Sequence, residues 1–277
     1  MWEMALQNMS SDLCIFGPTS FQDYVREQGL QNQNTAAQIS IDSFERLPLT
    51  LKLNDTMVLR LGSSSKGIGT QFLLVKVKGR LRDFFLFDSE VFSKDKGSIF
   101  EPVDPEQLKG FCILPELSET SLINLALSSG LIGKALGLDN NVIPTAPATG
   151  RSNFTFLIKP HSAFSKTFEH RQGQVEIDAL FVEKRDGKDT LFIIEAKSSD
   201  THRSLSKHKL VYPLLAVAQN VPQSIQIVPV YMKVLKKSNS YHFHIVECEF
   251  PDPRVCLASI DELKSKKHVH FILNLGC

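Results

Sequence analysis

Two segments, Gln174–Val182 and Leu191–Lys197, constrain this chain more than any other stretch. In the first, Gln-Val-Glu-Ile-Asp-Ala-Leu-Phe-Val, acids at 176 and 178 alternate with apolar residues. In the second, Leu-Phe-Ile-Ile-Glu-Ala-Lys, an apolar run leads into Glu195 and Lys197. A β-strand sends successive side chains to opposite faces. Glu176 and Asp178 therefore share a face, and so do Glu195 and Lys197. The interval Glu183–Thr190 contains Asp186-Gly187 and is short enough for a hairpin turn. Pairing the strands brings Asp178 and Glu195 together beside an ammonium group. Two carboxylates are hard oxygen ligands of the kind Mg²⁺ takes. The plain alternative is a half-exposed hairpin with a solvated charged face.

Asp178, followed after an apolar run by Glu195-Ala196-Lys197, resembles the metal site of the PD-(D/E)XK nucleases, the restriction-endonuclease-like superfamily. Ile177 stands where the family name has proline. The resemblance covers about residues 115–250. It implies an α/β fold, a mixed β-sheet core flanked by helices. It also implies that Asp178, Glu195 and the backbone carbonyl of Ala196 hold Mg²⁺. Lys197 then orients or activates the attacking water and stabilises charge on the phosphorane, and Glu176 is an auxiliary or alternate ligand. In such folds a helix ahead of the core sheet brings a further acid to the metal, a part that Glu119 can take. The plainer reading of Glu119 is an acid in the first turn of a helix, where it complements the helix dipole.

The implied activity is Mg²⁺-dependent endonucleolytic hydrolysis of double-stranded DNA, of the type II restriction kind. A homodimer is expected, because a two-fold protein matches a palindromic site. Two other readings keep the fold: a non-catalytic DNA-binding module, and a repair or junction-resolving nuclease. No G-x-S-x-G, H-E-x-x-H or G-x-G-x-x-G is present, so serine-hydrolase, zincin and Rossmann chemistry have no support.

A length of 277 residues suits one large domain or two. The pattern divides them into an N-terminal arm and β-rich region over 1–110, a candidate for target recognition, and a nuclease domain over 111–277. The net charge of +1 does not by itself announce a nucleic-acid partner. Its distribution does more: residues 1–150 hold 13 Lys/Arg against 17 Asp/Glu, and residues 151–277 hold 18 against 13. The basic excess lies with the candidate site, as a phosphate-binding surface requires. Cys14, Cys112, Cys248, Cys256 and Cys277 are scattered and show no C-x-x-C spacing. That predicts neither a disulfide framework nor a zinc site, and a reducing, cytoplasmic compartment. No apolar run reaches membrane-spanning length, and no signal peptide is visible.

Along the chain, residues 1–35 read as a polar arm or short helix. Strands are predicted at Thr50–Leu53, Met57–Leu61, Gln71–Val77 and Asp83–Phe87. The Gly- and Ser-rich loop 62–70 lacks the lysine of a phosphate loop, and Lys66 within it is at most a backbone contact for DNA. Ser118 is an N-cap for a helix running through Leu136 to a stop at Gly137. Residues 153–158 read as a strand. Arg203, Lys207 and Lys209 form a basic approach to the apolar helix around Tyr212-Pro213, suited to phosphates or to a solvated helix start. Two further strands follow, at Gln226–Leu235 and Tyr241–Phe250, and Pro229 predicts an edge or bulge in the first. His242 and His244, like His268 and His270, alternate on strand faces. With no third ligand implied, they read as surface or cross-strand histidines.

Overall fold

The computed structural model describes residues 1–9, 14–30, 33–64, 69–140, 143 and 145–275. Twelve strands are described, and ten of them make one mixed sheet. In chain order they are β1 (Ile15–Ser20), β2 (Thr56–Ser63), β3 (Thr70–Lys76), β4 (Phe85–Phe87), β5 (Ser98–Phe100), β6 (Ala148–Ile158), β7 (Phe168–Arg185), β8 (Lys188–Lys197), β9 (Ser204–Ser206), β10 (Gln226–Lys237), β11 (Ser240–Glu249) and β12 (Lys264–Asn274). The spatial order is β1-β3-β2-β7-β8-β10-β11-β12-β5, with β6 also on β7, while β4 and β9 pair apart from it.

The predicted hairpin is present. β7 and β8 pair antiparallel from Ala179↔Ile194 to Arg185↔Lys188. Asp186 and Gly187 both take positive φ, 52° and 73°, in the turn, which suits the right-handed twist of the two strands. β8 then runs parallel to β10, with Ile194 opposite Val230 and Glu195 opposite Tyr231. A parallel neighbour requires a crossover, and the helix His208–Ala218 supplies it. β8 is covered on both faces, which explains its unbroken Leu-Phe-Ile-Ile run. Phe192, Ile194 and Ala196 pack with Leu122, Ile123 and Ala126 of the helix Glu119–Ser128. Leu191 and Ile193 pack with Leu214 of the crossover helix. The two helices thus lie on opposite sides of the strand that carries Glu195.

The N-terminal strands join this sheet through a close backbone approach. Gly62 of β2 pairs with Arg171 of β7 at φ +83°. A Cβ at this position would lie 2.4 Å from the Arg171 carbonyl and 2.7 Å from Gly173 Cα. Only glycine fits so tight a crossing. One hydrophobic cluster spans the seam, from Trp2 and Phe72 to Tyr212 and Val246.

Several expectations are corrected. Residues Leu49–Leu53 form a helix, not a strand. Asp83 lies in a 3₁₀ turn, Leu81–Phe84, ahead of β4. The helix begun at Ser118 breaks after Ser128, because Gly130 turns to φ 83° before Leu131–Leu136 resumes. Gly137 closes it at φ 66°, as expected. The segment read as a polar arm is docked: β1 edges the sheet, and Trp2 and Phe21 are buried. Pro229 lies in an interior strand, tolerated because the β11 ladder begins only at Val230. Cys14, Cys248 and Cys256 are free thiols, whereas Cys112 is disulfide-bonded. Lys66, Cys277 and parts of loops 31–34, 62–70 and 140–151 lie outside the described residues. No described helix is long and apolar enough to cross a membrane.

Candidate active site

The β7–β8 backbone ladder stops at Ala179↔Ile194, and a side chain takes over where it ends. Asp178 Oδ2 accepts a 2.9 Å hydrogen bond from the Ala196 amide. That bond fixes the carboxyl against the Glu195-Ala196-Lys197 segment. Asp178 is half-buried. Burial pushes its carboxyl above the usual range, against the Ala196 amide, Lys197 and Lys209, which pull it down.

Glu195 is 2% exposed. Burial raises its carboxyl pKa too, although Lys209 and Lys197 both oppose the shift. Its Oε1 lies 2.7 Å from Lys197 Nζ and 3.4 Å from Lys209 Nζ. Two ammonium groups thus neutralise this oxygen, with Lys197 at charge-assisted hydrogen-bonding distance. Lys197 Nζ also donates to the Ala196 carbonyl at 2.9 Å. Burial disfavours its charge, but Glu195, Glu119 and Asp178 outweigh that, and the net effect raises its pKa. Lys197 is therefore held as an ammonium.

Glu119 reaches the same site from the first turn of its helix. Its Oε2 is 3.8 Å from Lys197 Nζ, and its Oε1 accepts from the Ser198 amide at 3.1 Å. The Ser118 side chain caps that helix at the Ser121 amide, which sets the position of Glu119. Glu176, although on the face of Asp178, is exposed and faces Arg151 at 3.4 Å.

The three basic residues predicted to meet DNA separate. Arg203 is exposed. Lys207 is buried and donates to the Asp261 carbonyl at 2.8 Å. Burial lowers its pKa. Lys209 bridges Glu195 and Asp42, 3.7 Å away. Attraction to Glu195, working against burial, raises its pKa.

Sequence reasoning missed the neighbours that other elements contribute. Asp42 comes from the loop before the helix Leu49–Leu53. On β10, Tyr231 lies beside Glu195 and Lys233 beside Lys197. Lys233 Nζ contacts Asp88 Oδ2 at 2.5 Å and the His202 carbonyl at 2.6 Å. Tyr231 donates to the other Asp88 oxygen at 3.0 Å. Only the alternation of Tyr231 and Lys233 in β10 was a visible signal, and it does not identify a partner.

Among the described residues, no group of three or more His, Cys, Asp or Glu is arranged to hold a metal. The candidate donors here are two carboxylates and one backbone carbonyl. That set suits Mg²⁺, which commonly takes one or two protein carboxylates and keeps several waters. Glu195 Oε1 already meets Lys197 and Lys209, so a metal bound here would share or displace those ammonium groups.

The histidines predicted as cross-strand pairs form a separate cluster on β11 and β12. His244 faces His270 in register. His242 Nδ1 lies 3.1 Å from His270 Nε2, and His244 Nδ1 lies 3.1 Å from His268 Nε2. Phe92 stacks on His244 at 4.4 Å. Burial, with the other imidazoles adding to it, pushes His244 down to about 3, so this pairing is one of neutral rings near pH 7.

Residues 90–269 match a family model described as a domain of unknown function, DUF6997. The matched stretch contains Glu119, Asp178, Glu195, Lys197 and Lys209. No curated protein and no solved structure matches the chain.

Proposed function

The chain belongs to the DUF6997 family, and we propose that it is a Mg²⁺-dependent endonuclease acting on double-stranded DNA, of the type II restriction kind. One observation carries the reading: Asp178 is hydrogen-bonded directly to the Glu195-Ala196-Lys197 segment. The element order supports it, with helix Glu119–Ser128, strands β6, β7 and β8, the crossover helix, and then β10 parallel to β8. A homodimer on a palindromic site belongs to the same reading.

Asp178, Glu195 and the Ala196 carbonyl would hold Mg²⁺. When bound, Mg²⁺ lowers the pKa of a coordinated water and offsets charge on the scissile phosphate. Lys197 contributes as a cation. Held protonated, it donates hydrogen bonds to the attacking water or to a phosphate oxygen, and stabilises charge that grows in the transition state. Glu119 aligns Lys197 from the opposite side. Lys209 balances Glu195 and Asp42, so its charge is already engaged within the site.

A second reading, a non-catalytic DNA-binding module, has one observation in its favour. Glu195 is already neutralised by two ammonium groups, and the Ala196 carbonyl already accepts from Lys197. Incubating the purified protein with a long mixed-sequence duplex and Mg²⁺ separates the readings. Discrete fragments are expected for a restriction enzyme. A smear would indicate a nuclease without sequence choice. Intact DNA that nonetheless binds in Ca²⁺ would establish the module instead.

A further inference from the structure

Beside this site lies a cleft of about 420 Å³, bounded by β2, β6, β7 and the crossover helix. It shares Lys209 with the candidate active site, which places it next to Glu195. Five polar atoms of its lining residues are buried without a protein hydrogen-bond partner: Arg60 Nε, His208 Nδ1, Ser40 Oγ and both ring nitrogens of His170. A buried polar group left unpaired is destabilising. Five of them gathered around one cleft point to a ligand that supplies partners there.

The charges narrow its chemistry. Arg151 has Glu176 at 3.4 Å, and Lys209 has Asp42 at 3.7 Å. Arg60 has no carboxylate partner among the described residues. Its guanidinium is partly desolvated, and burial pulls its pKa down. The two imidazoles add no charge near pH 7, since burial pushes His208 to about 3 and His170 to about 4. One unpaired cation is therefore left, and it calls for one anionic group.

Tyr212, His208 and His170 give the lining one aromatic side. Tyr212 lies 5.3 Å from His208 and 5.2 Å from His170, ring to ring, and His170 stacks on Phe156 at 4.4 Å. Such a wall takes a flat group with polar edges. We propose that this cleft is a nucleotide subsite, with a phosphate on Arg60 and a base against the Tyr212–His208 wall. The inference rests on the endonuclease reading in one respect: it seats one nucleotide of the bound strand beside Asp178 and Glu195. A base reaches such a pocket only by leaving the stack, or from a strand already single.

The test is calorimetric titration of the full chain with the four deoxynucleoside 5′-monophosphates. Inorganic phosphate and the deoxynucleosides form separate arms. At least one monophosphate is expected to bind about tenfold or more tightly than either fragment, and Arg60→Gln to weaken it by about tenfold or more, the scale of one charge-assisted hydrogen bond. Arg151→Gln, at the exposed rim, gives a smaller loss in the same direction and guards against misfolding of the Arg60 variant. Arg26→Gln, an exposed arginine that pairs with Asp23 and does not line the cleft, serves as the unaffected control. Equal binding of phosphate and monophosphates, no binding at millimolar concentration, or full affinity in a folded Arg60→Gln protein would each overturn the proposal. Duplex cleavage without monophosphate binding removes the subsite and leaves the endonuclease. Monophosphate binding by a protein that never cuts DNA does the reverse.

Discussion

Asp178→Asn is expected to lower Mg²⁺-dependent cleavage of duplex DNA by about two orders of magnitude or more, the scale of losing a group that stabilises transition-state charge. The fold should survive. An asparagine oxygen can still accept the Ala196 amide that Asp178 now accepts, so the end of the β7–β8 ladder keeps its partner. Binding measured in Ca²⁺ at low salt should hold or tighten, because a carboxylate that repels phosphate has been removed. The matching change at Glu195 needs more care. Glu195→Ala would leave Lys197 and Lys209 facing each other without their shared carboxylate, and breaking a buried pair in this way costs about 3–5 kcal/mol. Glu195→Gln is the cleaner variant. Thermal unfolding separates the two effects: a folded Asp178→Asn protein that cuts at the wild-type rate removes this acid from the mechanism.

Lys197→Ala should lower single-turnover cleavage by about two to four orders of magnitude, the range for losing an electrostatic or acid–base group. DNA binding in Ca²⁺ should change little. Since the surrounding acids hold Lys197 as an ammonium, the loss is one of hydrogen-bond donation and charge rather than of a general base. Arginine should not restore the rate: the space between Glu195, Glu119 and the Ala196 carbonyl is shaped to a point charge, and guanidinium is a planar fork. Rates compared at saturating protein decide the matter. Wild-type turnover in Lys197→Ala would return the segment to an ordinary charged strand end.

The parts of the site that lie in one hairpin were legible in the sequence, because alternation and a tight turn are local signals. Asp178, Glu195 and Lys197 sit on the predicted strands, and Asp186-Gly187 makes the predicted turn. Ser118 likewise marked the start of its helix through its own capping bond. What arrives from far along the chain left no such trace. Asp42 and Asp88 reach Lys209 and Lys233 only through sheet and loop packing, and no periodicity encodes that. Lys207 and Lys209 looked alike as basic residues near a helix start, yet one turns inward to the Asp261 carbonyl and the other to Glu195. The strand expected at Thr50–Leu53 is part of the helix Leu49–Leu53, because so few residues with alternating apolar positions do not separate a strand from one helical turn. The break at Gly130 was missed because the helical spacing resumes after it.

The amide of Ala196 gives the site its own isotopic reporter. Most amides of an interior strand are locked by neighbouring backbone, and they exchange with deuterium only when the sheet opens. This one ends on the Asp178 carboxyl, so its protection follows a side chain. Anything that draws that oxygen away exposes a single N–H while the strand around it stays closed between β7 and β10. The state of Asp178 can thus be followed at one backbone position, without substrate and without turnover.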